Sequence, residues 1–147
     1  TRAALTGLLL RGLGAIINVS SLSAFNPTFG NAIYSATKAF LVNFSQSLHA
    51  ELRGTGVRVQ ALCPGFTYTE FHDTDEYRNF SRKQIPRFMW MSADEVVVES
   101  LAALPRGPVL CVPGAFYKLA AFIMRFFPVA PLFFELIRGR RAAALKE

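Results

Sequence analysis

A tyrosine and a lysine four residues apart form the first pair in this sequence that could do chemistry. Tyr34 and Lys38 lie in a run with helical periodicity, and this spacing stacks two side chains on one helix face, one turn apart. A phenol, with a reference pKa of about 10, is a poor acid or base at neutral pH. A nearby ammonium favours the phenolate and brings that pKa toward the working range. The pair could transfer a proton, or it could belong to a solvated polar helix face.

An apolar run of strand type precedes this helix and ends in two hydroxyls. Residues 15–20 lack clean alternation, as expected of a strand buried on both faces of a parallel sheet. Ser20 and Ser21 stand at its carboxyl end, where open α/β sheets bind their ligands. Ser21 lies thirteen positions before Tyr34 (34 − 21). For Ser20 we expect a hydroxyl bonded to the backbone.

A second strand, residues 57–63, follows the predicted helix 31–53 and runs into Pro64 and Gly65. Proline offers no ladder donor and glycine permits a sharp turn, so the strand must end there, with backbone bare enough to approach a flat ring. Thr67 and Thr69 follow in the turn. Strand, helix and strand with short connections predict a right-handed parallel crossover. The alternative for this turn is a strand exit with two surface threonines.

This sequence resembles the short-chain dehydrogenase/reductase family in the order of three motifs: Ser21, the Tyr34-x-x-x-Lys38 helix and the Pro64–Gly65 turn. The resemblance implies that Ser21 hydrogen-bonds the substrate carbonyl or hydroxyl and that Tyr34 donates or removes the proton. It implies that Lys38 binds the nicotinamide ribose and assists the tyrosine.

The same resemblance implies the remaining cofactor contacts. Pro64 and Gly65 would lie along the nicotinamide, Thr67 beside its carboxamide, and Thr69 would hydrogen-bond the cofactor's amide or phosphate. The reaction implied is reversible hydride transfer between NAD or NADP and a carbonyl or secondary alcohol, with a hydrophobic small-molecule substrate and a homo-oligomeric enzyme.

The fold expected is a Rossmann-like three-layer α/β/α sandwich with a parallel sheet, present as its C-terminal half. Gly12 and Gly14 precede a strand and lack a third glycine, and Gly54 with Gly56 fail the dinucleotide fingerprint in the same way. The expectation is therefore of an incomplete chain, by itself inactive and a weak binder of dinucleotides. The residues that distinguish NAD from NADP would precede Thr1.

Two segments make up the predicted organisation: a catalytic part over 1–114 and an extension over 115–147. The first also contains predicted helices 1–11 and 93–104 and a last strand 108–112. Residues 70–91 correspond by resemblance to a mobile substrate lid. Its aromatic residues could line a pocket or pack the lid onto the core: Phe71, Tyr77, Phe88 and Trp90.

The extension 115–147 is apolar but interrupted by charges and prolines, so we reject a transmembrane helix. Two short amphipathic helices around a Pro-x-x-Pro break are expected. With the basic tail, where residues 138–147 carry four Arg or Lys against Glu147, they could lie on an anionic membrane. The alternative, which we favour, is a cover for the substrate cleft or a subunit contact.

Composition excludes several classes. Of the 147 residues 52% are hydrophobic, which argues against disorder. Half of the +6 net charge lies in the last ten residues, and the rest forms no basic stripe of the kind that would indicate nucleic-acid binding. Cys63 and Cys111 are expected in the core, and His49 and His72 lack the spacing of a metal site. From these features, and because the start of the given sequence shows no cleavage pattern, we expect a cytoplasmic location with peripheral membrane association as an option.

Two competing functions remain open from the sequence. One is a non-catalytic binding or membrane-associated module that retains the motifs. The other is an epimerase that uses the same Tyr34 and Lys38, although residues 70–147 leave little room for the larger substrate domain such enzymes carry.

Overall fold

The computed structural model describes residues 1–26, 30–73, 82–105 and 107–126. Within these residues the helices are α1 (Arg2–Arg11), α2 (Ala32–Glu51), α3 (Ala93–Ala103) and α4 (Ala115–Phe126). The strands are β1 (Gly14–Val19), β2 (Val57–Leu62), β3 (Thr67–Tyr68), β4 (Met91–Ser92) and β5 (Leu110–Cys111). Each predicted helix and strand in this part is present. The prediction of 108–112 for the last strand was too long, since β5 pairs with β2 only through Leu110 and Cys111.

A parallel sheet in the order β1-β2-β5 forms the centre of the molecule. Strands β1 and β2 pair over their whole length, from Gly14 opposite Val57 to Val19 opposite Leu62, and α2 makes the crossover between them. Both strands therefore end at the same edge of the sheet. This edge carries the residues singled out from the sequence.

Helices cover both faces of β2, because successive side chains of a strand point to opposite faces. Val57 and Val59 pack with Leu48 and Leu52, in a cluster that also takes in Leu5 and Leu8 of α1. Leu62, on the other face, packs with Val96 of α3. The predicted three-layer α/β class is thereby confirmed.

A polar pair inside the sheet–helix interface fixes α3 on β2. Gln60 is 2% exposed. Its amide nitrogen donates to the Ser100 carbonyl oxygen at 3.2 Å, and the Ser100 hydroxyl donates to the Gln60 Oε1 at 2.6 Å. Since a buried polar group costs free energy unless it is paired, this reciprocal arrangement makes one register of α3 on the sheet preferable to its neighbours.

The connections at the other edge depend on glycine. Gly12 ends α1 in the left-handed conformation, with φ of 60°, and Gly56 before β2 has φ of 80°. A Cβ at Gly56 would overlap the carbonyl oxygen of Gly12. These glycines thus serve tight turns where two backbones meet, as the sequence predicts.

Helix α4 is the first of the two amphipathic helices expected in the extension. It begins directly after Gly114, and Tyr117 and Ala121 on its inner face are buried. The expected second helix, the Pro-x-x-Pro break and the basic tail lie outside the described residues, as does Tyr77. Among the helices described, none combines the length and the apolar character that crossing a membrane requires.

Candidate functional site

Strand β1 ends in two serines that have different partners. The Ser20 hydroxyl donates to the backbone carbonyl oxygen of Lys38 at 2.7 Å, and its N–H donates to the Leu62 carbonyl oxygen. Ser20 therefore joins β1, β2 and α2, which is the backbone-bonded role expected of it. The Ser21 hydroxyl accepts the Ser23 N–H at 3.1 Å, so it caps the short 3-10 turn Leu22–Phe25.

Tyr34 and Lys38 share one face of α2, as their spacing predicts. The Lys38 ammonium lies 5.5 Å from the centroid of the Tyr34 ring, and it donates to the Val19 carbonyl oxygen at 3.0 Å. The ammonium is therefore held at the carboxyl end of β1 and beside the phenol. Both side chains are half-buried, so each keeps a surface toward solvent.

Backbone bonds bring the serine end of β1 beside the Pro64–Gly65 turn. The N–H of Leu22, the residue after Ser21, donates to the Pro64 carbonyl oxygen at 2.9 Å. The N–H of Cys63 donates to the Cys111 carbonyl oxygen at 2.7 Å, which ties the start of the turn to β5. The carboxyl ends of all three parallel strands thus meet at this turn.

The two threonines of the turn already have local partners. The Thr67 hydroxyl donates to the Gly65 carbonyl oxygen at 3.2 Å, and the Thr69 hydroxyl accepts the Phe71 N–H at 3.3 Å. Arg82 donates to the Thr69 carbonyl oxygen at 2.8 Å. Both threonines therefore shape the segment that follows the turn, and each hydroxyl keeps further hydrogen-bonding capacity.

A flat ring does approach the bare backbone of Gly65, but it belongs to the chain itself. A Cβ at Gly65 would overlap the ring carbons of Tyr117 in α4. Gly65 does not have a positive φ, so the requirement for glycine at this position is steric. The Phe66 N–H donates to the Tyr117 hydroxyl at 3.0 Å, and that hydroxyl donates to the Met89 carbonyl oxygen.

No sequence pattern singles out Tyr117, which is one of several aromatic residues in an amphipathic helix. Burial raises the pKa of the Tyr117 phenol above 10, against the opposing effect of the Phe66 N–H. The hydroxyl is therefore protonated at neutral pH and remains able to donate.

Of the two alternatives left open for the aromatic residues of segment 70–91, packing is found for Trp90, and pocket lining stays a prediction. Trp90 is buried and packs against Phe66 and Tyr68, with centroids 5.4 and 4.8 Å away, so it packs the segment onto the core. Phe71 is exposed and its ring centroid lies 5.7 Å from that of Tyr34. Phe88 is exposed and meets only the edge of Phe116 among the described ring contacts.

Both cysteines are buried and free, as expected of core residues. Burial raises the pKa of Cys63 to about 11, and burial also raises that of Cys111. Neither thiol is set up as a nucleophile, since reactive cysteines have lowered pKa values. In the described part of the chain, His, Cys, Asp and Glu residues form no group of three that could hold a metal ion.

Comparison with known proteins adds a family match. The family model described as short chain dehydrogenase matches residues 1–78. An uncharacterized oxidoreductase of Myxococcus xanthus is 45% identical over 75 residues, which are 51% of this chain and 30% of that protein. The very-long-chain 3-oxoacyl-CoA reductase of Bos taurus is 47% identical over 70 residues, 48% of this chain and 22% of that protein.

Two further comparisons bear on activity and fold. An inactive hydroxysteroid dehydrogenase-like protein of Danio rerio is 48% identical over 64 residues, 44% of this chain and 20% of that protein. The structure of a short-chain dehydrogenase from Sphingobium yanoikuyae in complex with NADPH superposes with a TM-score of 0.67 at 28% identity, covering 99% of this chain and 50% of that one. The matches thus span about a third or less of these curated relatives and half of the solved structure.

Proposed function

Because the chain belongs to the short-chain dehydrogenase family, we propose that it carries the catalytic groups of an NAD(P)-dependent oxidoreductase that interconverts a carbonyl compound and a secondary alcohol. The observation that carries the proposal is the meeting of three groups at one sheet edge. The Lys38 ammonium lies beside Tyr34 and on the Val19 carbonyl, and the segment of Ser21 is bonded to the Pro64–Gly65 turn.

Each residue has a role in this proposal. In the reducing direction Tyr34 gives its phenolic proton to the carbonyl oxygen, and Ser21 donates a hydrogen bond to the same oxygen. The Lys38 ammonium lies 5.5 Å from the centroid of the Tyr34 ring and is hydrogen-bonded to the Val19 carbonyl oxygen. Its positive charge would stabilise the negative charge that develops on the phenol. In the oxidising direction the same groups remove the proton from the alcohol.

A nicotinamide cofactor, when bound, supplies or accepts the hydride. Donor chemistry at this edge suits such a cofactor: a half-buried ammonium at Lys38 for ribose hydroxyls, and the hydroxyls of Thr67 and Thr69 for amide or phosphate groups. Since the ring of Tyr117 covers the bare face of Gly65, Pro64 and Gly65 would contact the nicotinamide through their other atoms. The Sphingobium structure was solved with NADPH, which makes NADP(H) the first cofactor to test.

A hydrophobic substrate is supported by the exposed aromatic side chains near the site. Phe71 lies against Tyr34, and Phe88 is 74% exposed on the same segment. The similarity to the Bos taurus very-long-chain 3-oxoacyl-CoA reductase points in the same direction. We therefore propose a ketone or 3-oxoacyl compound with an apolar chain.

The test uses the protein expressed from its complete coding sequence, with NADPH or NADH and a series of ketones of increasing chain length. Replacing Tyr34 by Phe should lower kcat by about a hundredfold to ten-thousandfold, the usual worth of a general acid. Thr37→Ala, an exposed change on the same helix, is the matched control. Turnover unchanged in Tyr34→Phe would remove Tyr34 from the mechanism.

A non-catalytic binding module is the second candidate, and the inactive Danio rerio relative is the observation that favours it. That protein is similar over a stretch of comparable length, so similarity in this region alone does not require activity. Binding of NADPH without turnover of any ketone in the wild-type protein would favour the module over the oxidoreductase.

The sequence favoured a cover or a subunit contact for the extension; from the exposed face of α4 we also propose the other alternative, a contact with an anionic membrane surface. Its outer face carries apolar side chains at helical spacing, all of them exposed: Phe116, Leu119, Phe122, Ile123 and Phe126. Arg125 is on the same helix, and the sequence ends in a basic tail. Apolar area combined with basic charge is the pattern that binds anionic lipid.

Co-sedimentation with vesicles containing anionic lipid tests the membrane contact. Binding should weaken in Phe122→Asp and at high salt, because both the apolar and the charged contribution are needed. Equal sedimentation with and without vesicles would instead favour a covering of α4 by another part of the protein or by a partner subunit.

A homo-oligomer is proposed from the outer face of α2. Ile33 is 86% exposed and Phe40 is 64% exposed. Two large apolar side chains seven residues apart on one exposed helix face suit a contact with a second subunit. Light scattering of wild type and Phe40→Glu tests it, with a lower mass expected for the variant.

A further inference from the structure

We propose that Tyr117 is a positioning residue: it holds the turn of Pro64, Gly65 and Phe66, and with it the cofactor-binding segment that follows, in its working place. The proposal rests on the proposed function and extends it to a residue of α4. It assigns a role in cofactor binding to a helix that lies outside the family motifs.

Tyr117 joins three separate segments through one side chain. Its hydroxyl accepts the Phe66 N–H at 3.0 Å and donates to the Met89 carbonyl oxygen, while its ring fills the space beside the Cα of Gly65. The residue is only 3% exposed. The turn after β2 and the 3-10 turn Arg87–Met89 are therefore fixed to the same phenol.

The hydroxyl has a function that an apolar residue cannot replace. Phenylalanine would fill the same volume but would leave the Phe66 N–H and the Met89 carbonyl oxygen without this partner. A buried donor or acceptor that loses its partner costs more than the bond itself contributes. The turn would then relax toward positions in which these groups find water or another partner.

Tyr117 is itself held firmly at the start of α4. The Gly114 N–H donates to both carboxylate oxygens of Glu99 at 3.1 Å, and the Lys118 ammonium donates to Glu99 at 3.0 Å. Glu99 is the neighbour of Ser100, which is bonded to Gln60 of β2. The contacts thus form a closed path from β2 through α3 and α4 back to the turn that ends β2.

A movement of Phe66 would be transmitted to the proposed cofactor contacts. The Phe66 carbonyl oxygen accepts the Met91 N–H at 3.0 Å, so both the N–H and the carbonyl group of Phe66 are hydrogen-bonded. Thr67 follows immediately and pairs with Met91 in the β3–β4 ladder. Freeing the Phe66 N–H therefore displaces the backbone that presents Thr67 and Thr69.

The first test compares wild type with Tyr117→Phe, using the protein expressed from its complete coding sequence, with Val98→Ala on the exposed face of α3 as control. Titration with NADPH should give a Kd about tenfold higher in Tyr117→Phe. Hydrogen–deuterium exchange of residues 64–69 and 87–91 should accelerate, while exchange in β1 stays as in wild type. The control should match wild type in both.

A purely structural role predicts a different result, namely a lower melting temperature with an unchanged Kd for NADPH and unchanged exchange at 64–69, and that result would overturn the proposal. If the wild-type protein neither binds NADPH nor reduces any ketone, the proposed function is wrong. In that case a faster exchange at 64–69 in Tyr117→Phe still supports the positioning of the turn, and unchanged exchange rejects it.

A second test uses the steric contact and does not depend on the hydroxyl. Gly65→Ala should accelerate exchange at 64–69, because its methyl group overlaps the Tyr117 ring. In the background of Tyr117→Ala, which removes the ring, the same Gly65→Ala change should have little further effect. Effects that simply add in the double variant would contradict the contact, because coupled neighbours are non-additive.

Discussion

The Ser20 hydroxyl donates a hydrogen bond of 2.7 Å to the backbone carbonyl oxygen of Lys38. In the reverse direction, the Lys38 ammonium donates to the carbonyl oxygen of Val19, the residue before Ser20, at 3.0 Å. These two bonds fix one turn of α2 against the end of β1. Lys38 is therefore held at its backbone carbonyl by Ser20 and at its ammonium by Val19.

This arrangement predicts that the two neighbouring serines respond differently to alanine. Ser20→Ala removes a bond between elements, so it should lower the free energy of unfolding by about 1 kcal/mol and change turnover only a few-fold. Ser21→Ala should lower kcat about a hundredfold, by removing a donor to the developing oxyanion. Urea unfolding and steady-state kinetics on both variants measure this. If Ser20→Ala loses more turnover than Ser21→Ala, then Ser20 and not Ser21 contacts the substrate, and our assignment is wrong.

The buried pair of Gln60 and Ser100 predicts non-additive stability. Gln60→Leu leaves the Ser100 hydroxyl without its acceptor and should cost about 1–3 kcal/mol. Adding Ser100→Ala removes that stranded hydroxyl, and the Ser100 carbonyl still accepts the Leu104 N–H at 3.1 Å. The double variant should thus be less destabilised than the sum of the single changes. Denaturant unfolding of the four proteins gives the coupling, and strict additivity would argue against the pair.

Cys63 should react slowly with alkylating reagents in the folded protein. With a pKa of about 11 in place of the ordinary 9.0, its thiolate fraction at pH 8 falls to roughly a thousandth, from about a tenth. Because the folded pKa is raised, the contribution of the neutral Cys63 thiol to the free energy of unfolding is fully present below pH 9.0. It is lost as the pH rises toward about 11. Mass spectrometry after iodoacetamide treatment checks this. Labelling as fast as in the urea-unfolded protein would show that the thiol is accessible.

The attachment of α4 should weaken in acid through Glu99. Burial acts to raise the pKa of Glu99, but hydrogen bonds from Lys118 and the Gly114 N–H outweigh it and hold the pKa below 4.5. Because the folded pKa is lowered, the stability it contributes is present above pH 4.5 and is lost as pH falls through the folded value.

Limited proteolysis within α4 as a function of pH measures this effect. Wild type should become more sensitive below pH 4.5, whereas Glu99→Gln should be more sensitive at neutral pH and change little with acid. Glu51→Gln, at the exposed end of α2, is the control. The same acid response in wild type and Glu99→Gln would show that another group is responsible.

Local patterns predicted the elements of the sheet and the pairing of Tyr34 with Lys38, because these depend on periodicity and on spacing within one helix. The distinction between Ser20 and Ser21 also came from spacing, and the backbone bond of Ser20 agrees with it. A close approach of a flat ring to Gly65 was expected for the nicotinamide, but the ring found there is that of Tyr117, about fifty positions away.

Other features could not be read from the sequence because they depend on how elements dock. Aromatic residues occur on both faces of α4, so periodicity alone does not distinguish the buried Tyr117 from the exposed Phe116. The extent of β5 depends on where β2 stops pairing with it. Phe40 has the apolar character of a core residue, yet it lies on the face of α2 turned away from the sheet.

The contact between Gly65 and Tyr117 has a consequence for the evolution of this protein. A Cβ at Gly65 would occupy the space of the Tyr117 ring, so a larger residue at one position requires a smaller residue at the other. Homologous sequences should therefore vary at these sites as a pair: a tyrosine at the helix position should occur with glycine in the turn, and a bulkier turn residue with a small one in the helix. The absence of a Cβ at Gly65 in this way limits which residues can replace Tyr117 in α4 during evolution.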